Sequence, residues 1–292
     1  MREKFEYFLT LFAIKITKIF PNSVCYAFFN SLAILLFYTL ASRRKIAIKN
    51  ISAAYPNLEQ KEATNLAKEN FKSIARTLCE ALLVYNDKLK LEQLFINGDE
   101  AINLVKKLSE NGTRPILFTT AHFGNWEALS NYFAHRGITL LVIGREGNNK
   151  LIEQNITLPF RTKFGNELAS KDSAMLNMVR HLKDGKNVGI LIDQRPSAQG
   201  SLPTTFFNMP CRTATPIALL KLKFNPVVVP IFALRDKSGK YEIIIKNFDE
   251  SVIKGNKNDD ILAITQHIND IFEQIVRLDP SQWFWMHNRW RK

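Results

Sequence analysis

Apolar and polar positions divide the chain into two unequal parts. Residues 23–41 read SVCYAFFNSLAILLFYTLA and carry no charge. That length approaches the roughly 20 apolar residues with which a helix crosses a hydrocarbon core. The preceding stretch, residues 5–20, is apolar but interrupted by Lys15 and Lys18 and stops before Pro21. This pattern predicts an amphipathic helix lying in a membrane interface. Arg43, Arg44 and Lys45 follow the apolar run directly. Basic flanks stay on the cytoplasmic side, so the bulk of the chain is expected there. The apolar run starts late, is long, and lacks a small-residue cleavage signature, which argues against a cleaved signal peptide. The competing reading makes both stretches buried core helices.

Beyond residue 45 the period changes repeatedly between about 3.6 and 2. Residues 60–85 have helical spacing, with Leu66, Phe71, Ile74, Leu78 and Leu82 near one face. Strands are predicted at 116–121 (ILFTTA), 139–143 (TLLVI), 188–192 (VGILI), 227–234 (VVVPIFAL) and 241–246 (YEIIIK). Helices are predicted at 126–135, 151–164, 172–183, 215–224 and 259–277, with Pro159 breaking the second of these. Such alternation implies an α/β domain: a layered, largely parallel or mixed sheet with helices on both faces. The expected organisation is a membrane anchor over residues 1–45 and one catalytic-size domain over residues 46–292.

Composition narrows the partners. The 292 residues are 46% hydrophobic and 23% charged with a mean hydropathy of −0.12, which excludes both wholesale disorder and a polytopic membrane protein. Forty Lys+Arg against 27 Asp+Glu give a net charge of +13 and favour anionic partners. Cys25, Cys79 and Cys211 are far apart and form no C-x-x-C pair, so neither a disulfide framework nor a structural zinc site is expected. There is no G-x-x-x-x-G-K-[ST] loop and no H-E-x-x-H motif. No nucleic-acid-binding module is recognisable, so nucleic acid is not an expected partner.

The strongest chemical signal is His122-Phe-Gly124-Asn125-Trp-Glu127, which follows the apolar strand and opens a helix. Ligands bind at the carboxyl ends of strands in such sheets. With His122 in the turn, Gly124 giving that turn its freedom, and Glu127 in the first helical turn, imidazole and carboxylate can converge. A carboxylate beside a histidine fixes its tautomer and favours a general base. A merely structural hydrogen-bonded pair is the plainer alternative.

This stretch resembles the H-x4-[D/E] motif of membrane-associated acyltransferases. It is most similar to the late acyltransferases of lipid A biosynthesis, the lauroyl/myristoyl transferase group. Further segments match in order. Arg145 with Asn149, Leu151 and Ile152 resembles R-x-x-x-N-x-L-[IV], and Arg161 stands where the family carries an arginine. Residues 190–194 resemble a strand ending in a functional aspartate, here Asp193. Residues 205–215 resemble F-F-G-x-x-A-x-T-x-x-G, and residues 283–290 resemble the W-x-H-x-R-[FW] ending. Asn208 and Pro216 depart from the pattern, standing at or near positions where glycine is common.

The resemblance implies transfer of a fatty acyl group from acyl carrier protein to a hydroxyl of a lipid A precursor at the bacterial inner membrane. His122 would be the base and Glu127 its orienting partner. Arg161, Asp193, Arg145, Gly124 and Asn125 would support substrate or catalysis, with no metal and no cofactor beyond the acyl donor. Acyl carrier protein, the lipid A precursor and an anionic membrane are the implied partners. A glycerol-phosphate or lysophospholipid acyltransferase would add an F-P-E-G-T-R-like segment; the nearest stretch here is TFFNMPCR at 205–212. A third reading is a non-catalytic, basic, membrane-bound binding protein.

Overall fold

The computed structural model describes residues 1–144, 147–170 and 173–290. The chain opens with four helices: α1 (Arg2–Ile19), α2 (Asn22–Thr39), α3 (Ala41–Ala54) and α4 (Gln60–Tyr85). Pro21, without an amide proton, separates the first two. By length and composition α2 could cross a membrane. One stripe of it, Cys25, Phe29, Ala33 and Phe37, recurs every fourth residue and is buried; α2 packs along α4, and Phe37 meets Phe71 edge-on.

Of the apolar face expected for α4, Phe71 is buried and Leu66, Ile74 and Leu82 pack against the core, and the buried face extends further over small and polar residues. Leu78 is exposed, whereas Ala63, Ala67, Asn70, Ser73, Thr77 and Glu80 are buried. Small residues let other segments approach closely, and the buried polar ones are engaged by loops described below.

Next come α5 (Leu91–Leu94), α6 (Gly98–Leu108), β1 (Ile116–Thr120), α7 (Trp126–His135) and β2 (Leu140–Gly144). They are followed by α8 (Lys150–Ile152), a π turn (Glu153–Thr157), α9 (Leu158–Thr162), β3 (Glu167–Ser170), α10 (Ala174–Lys183) and β4 (Asn187–Leu191). The chain then forms β5 (Ser201–Phe206), β6 (Met209–Ala214), α11 (Pro216–Phe224), β7 (Val227–Arg235), β8 (Tyr241–Ile245) and α12 (Lys257–Leu278). Pro159 does not end its helix. It sits in the first turn of α9, and the turn before it widens to the π form, which accommodates the missing amide.

Six strands form one mixed sheet in the order β3-β2-β4-β1-β7-β8, parallel except for β8. Successive strand residues join different apolar clusters, as the period of 2 requires. Leu117, Val188 and Phe232 pack with residues of α4, α11 and α12, while Ile116, Phe118 and Ala233 pack with residues of α6 and α7. The hairpin β5–β6 stands apart from the sheet and was not foreseen from the sequence. Its turn residues Phe207 and Asn208 have φ of 52° and 57°, the left-handed conformation of a tight hairpin turn. Asparagine tolerates that conformation, so Asn208 serves where glycine is common. Pro216 occupies the first helical position of α11, where no amide donor is needed.

Candidate active site

The site begins with strand register. β1 and β4 are parallel neighbours, and Thr120 lies opposite Leu191. Two residues further along each strand stand His122 and Asp193. The chain leaves β1 toward β2 on one side of the sheet and leaves β4 toward β7 on the other. That is the crevice in which open α/β sheets bind ligands.

Asp193 is fully buried and receives three donors. The His122 backbone N–H reaches Oδ2 at 2.9 Å, the ring Nδ1 lies 2.8 Å from Oδ1, and Trp283 Nε1–H donates to Oδ2 at 2.8 Å. Burial alone would raise its pKa; the neighbouring imidazole and these donors outweigh burial and hold the carboxyl below its ordinary value. His122 itself is a quarter exposed, with Trp126 edge-on at 5.2 Å and Phe284 at 6.3 Å. A buried carboxylate on Nδ1 leaves Nε2 as the acceptor, the arrangement of a general base.

The sequence pairs His122 with Glu127; the structure pairs it with Asp193. Glu127 lies in the first turn of α7, and both its carboxylate oxygens meet one edge of the Arg161 guanidinium on α9. Nε donates to Oε2 at 3.1 Å and the terminal nitrogen to Oε1, a forked pair of fixed orientation. Burial works to lower the Arg161 pKa, and Glu127 more than offsets it. A Cβ on Gly144 would lie 3.2 Å from the Arg161 guanidinium, so that glycine gives the arginine its room. A cavity of about 370 Å³ adjoins, lined by Gly144, Lys150, Glu153, Leu168 and Ser170 at the carboxyl ends of β2 and β3.

Gly124 and Asn125 are scaffold. Gly124 has φ of +58°, and a Cβ there would sit 1.7 Å from the Ala233 carbonyl. Its N–H donates to the Gln282 carbonyl and its own carbonyl accepts from Thr77 Oγ1, both at 3.0 Å. Asn125 is fully buried, caps α7 by accepting from Ala128 N–H, and donates to Glu80 at 2.9 Å. Arg145 lies outside the described residues.

Several residues that hold this loop carry no motif. Glu80, fully buried on α4, accepts from Arg76, Asn125 and Tyr241. Asn70, also on α4, donates to the Ser281 and Trp283 carbonyls, and Asn50 on α3 donates to those of Trp285 and His287. The signal available in the sequence was polar residues on the small-residue face of a long helix. The tail packs into the interior. Trp283, Trp285 and Arg289 are buried, and Arg289 donates to Arg212 O and Thr213 Oγ1. His287 accepts from Arg195 N–H, and burial lowers its pKa.

Comparison with known proteins places the chain in a family. A family model described as bacterial lipid A biosynthesis acyltransferase matches residues 1–292. A lipid A biosynthesis acyltransferase of Haemophilus influenzae is 23% identical over 85% of this chain and 78% of its own. The lipid A biosynthesis lauroyltransferase of Escherichia coli is 24% identical over 93% and 86%. The palmitoleoyltransferase of Escherichia coli is 23% identical over 86% and 80%. With the family model spanning every residue, including the loop, the strand ends and the tail that build this site, the chain belongs to the bacterial lipid A biosynthesis acyltransferases.

Proposed function

We propose that this chain moves a fatty acyl group from acyl carrier protein to a hydroxyl of a lipid A precursor at the inner membrane, with its α/β body toward the cytoplasm. The observation that carries the reading is the buried Asp193 carboxylate on Nδ1 of a solvent-reachable His122. An alcohol is a weak nucleophile at neutral pH and needs a base as it attacks. His122 Nε2 takes the hydroxyl proton while the hydroxyl oxygen bonds to the thioester carbonyl carbon. Asp193 stabilises the imidazolium that results. Collapse of the tetrahedral species breaks the carbon–sulfur bond, and the proton on Nε2 passes to the departing thiolate. Arg161 supplies positive charge for the oxyanion, or for an acceptor phosphate. In this scheme Glu127 acts by orienting Arg161, and Asp193 takes the orienting role at His122. The reaction itself calls for no metal or redox cofactor. The +13 net charge suits an acidic carrier protein and an anionic membrane.

The test is the lipid A mass spectrum of a strain lacking this chain, complemented with wild type or with His122→Ala. Loss of one acyl group, restored by wild type alone, is the expected result. Unchanged lipid A with altered phospholipids would replace this reading by a phospholipid acceptor. Full restoration by His122→Ala would remove His122 from the mechanism.

A further inference from the structure

The way α2 is seated decides how this protein meets a bilayer. A helix that crosses hydrocarbon must expose apolar surface to lipid along its length or pack on another helix that also crosses. α2 has such an outer surface, but along its inner side it packs on α4, a helix not apolar enough to cross. Its stripe Cys25, Phe29, Ala33 and Phe37 is covered by α4 from end to end. α4 is a charged helix. The Arg76 guanidinium lies 4.5 Å from the ring centre of Tyr26, and Lys68 Nζ lies 5.7 Å from that of Tyr38. Those two tyrosines are 12 residues apart, about 18 Å of helix. Over that span α4 also carries the Lys72–Glu69 and Arg76–Glu80 pairs. Sinking α2 upright into hydrocarbon would take these charges to bilayer depth, where they are strongly disfavoured. α4 has no freedom to withdraw, because Asn70, Thr77 and Glu80 hold the tail and the catalytic loop.

The outer surfaces of both helices are apolar. On α1, Phe5, Phe8, Leu9, Phe12 and Ile19 are exposed and fall within about 100° of arc by the 3.6-residue repeat. The buried Thr17 lies on the other side, where Asn86 of the chain beyond α4 donates to it. Lys4, Lys15 and Lys18 run along one flank of the apolar arc; they are exposed and have no ion-pair partner among the described residues. On α2, the side away from the buried stripe presents Val24, Phe28, Leu35 and Tyr38. An apolar face edged by lysines is the pattern of a helix lying in an anionic headgroup layer.

We propose that α1 and α2 form a flat pad that lies on the anionic surface of a bilayer, with neither helix crossing it. This deepens the membrane part of the proposed function and rests on it. The pad abuts the substrate side of the site: Asn149, which caps α8 ahead of α9 and Arg161, donates to the Glu3 carbonyl and to Glu6 at 2.8 and 3.0 Å. A lipid-borne acceptor would therefore enter sideways from the leaflet on which the pad lies.

Full-length protein carrying Cys211→Ser and a single fluorophore-labelled cysteine at Phe8, Val24, Phe28, Leu35 or Tyr38 tests this in vesicles of phosphatidylethanolamine and phosphatidylglycerol. Nitroxide lipids labelled at the headgroup or deep in the acyl chain report depth. The expected result is one shallow depth for all five positions, with Ser23 and Thr39 cysteines reached by an impermeant thiol reagent from the same side. Phe8→Asp combined with Phe12→Asp should lower vesicle binding about tenfold, and added salt should weaken wild-type binding. A depth profile with Phe28 deepest, or opposite-side access to Ser23 and Thr39, would overturn the proposal. So would equal, salt-insensitive binding to phosphatidylcholine. Acyl transfer measured on the same samples separates the two ideas. A deep profile with activity sinks only the pad, and a shallow profile without activity sinks only the reaction.

Discussion

Trp283 donates its indole N–H to Asp193 Oδ2 at 2.8 Å, while the backbone on either side of it reaches the His122–Gly124 turn. Gln282 O accepts from Gly124 N–H, and Phe284 N–H donates to His122 O, each at 3.0 Å. The tail is thus the third wall of the site, after β1 and β4. Trp283→Phe keeps the aromatic bulk and removes one of the three donors to Asp193. A hydrogen bond to a charged group contributes about 1.5–3 kcal/mol. The variant should lose on the order of tenfold or more in kcat with its secondary structure intact by circular dichroism.

The same substitution has a pH consequence of defined sign. The folded-state pKa of Asp193 lies below the ordinary carboxylate value. Its contribution to stability is therefore present above the unfolded-state value of about 3.9 and is lost as pH falls through the folded value. Removing the indole donor raises the folded value and narrows that window. The acid-unfolding midpoint of Trp283→Phe should move to higher pH, with little change in stability near neutrality beyond the hydrogen bond itself. An unmoved midpoint would mean that the indole does not stabilise the carboxylate.

Asp193→Asn and Glu127→Gln should fail differently. Asparagine at 193 can present an amide donor to Nδ1, which favours the tautomer with its proton on Nε2. The expected loss in kcat is ~10²–10⁴-fold, with a changed acidic limb of the pH–rate profile. Glutamine at 127 leaves the His122–Asp193 bond in place and loosens Arg161. Activity should fall with the pKa on the acidic limb unmoved. Identical shifts of that limb in both variants would return Glu127 to the histidine.

Glu80 is the buried anchor of the loop. Glu80→Ala leaves Asn125 and Tyr241 without their acceptor and Arg76 without its carboxylate. Arg76 is about a third exposed and can turn to water, so the cost is that of leaving buried donors unpaired, about 1–3 kcal/mol each. Glu80→Gln retains an acceptor and should cost less. Thermal unfolding of the two variants, with activity followed alongside, measures the difference.

Gly124→Ala should be poorly tolerated. A methyl group would meet the Ala233 carbonyl at 1.7 Å, so β7 or the loop must shift, and alanine disfavours φ of +58°. Low soluble yield or a lowered melting temperature is expected. A fully active and equally stable variant would show that the loop does not depend on this approach.

Much of the scaffold was legible because strands buried in a parallel sheet are continuous apolar runs. ILFTTA, VGILI and VVVPIFAL cover β1, β4 and β7. The short β3 and the hairpin β5–β6 have no such run, and on α4 the apolar spacing found Leu66, Phe71, Ile74 and Leu82 but misplaced the exposed Leu78 and missed the small and polar residues that widen the buried face. His122, Glu127, Arg161 and Asp193 could be picked out one at a time, but their pairing could not. Spacing along the chain favours the local partner five residues away. The register of β1 on β4 instead places Asp193 beside His122, and α9 brings Arg161 to Glu127. Register is a property of strands distant in sequence, and no local pattern encodes it.

The tail has a consequence for how the enzyme comes into being. During synthesis the ribosome releases His122 long before it releases Trp283 and its neighbours. Until residues 282–284 arrive, the His122 turn lacks the Gln282 and Phe284 backbone bonds, and Asp193 lacks its indole donor. A nascent chain that already carries α1 to α4 and the His122 turn is therefore without a finished site. The order of synthesis thus sets the order of assembly: strands first, and the contacts that fix His122 and Asp193 only after residues 282–284 have been made and docked.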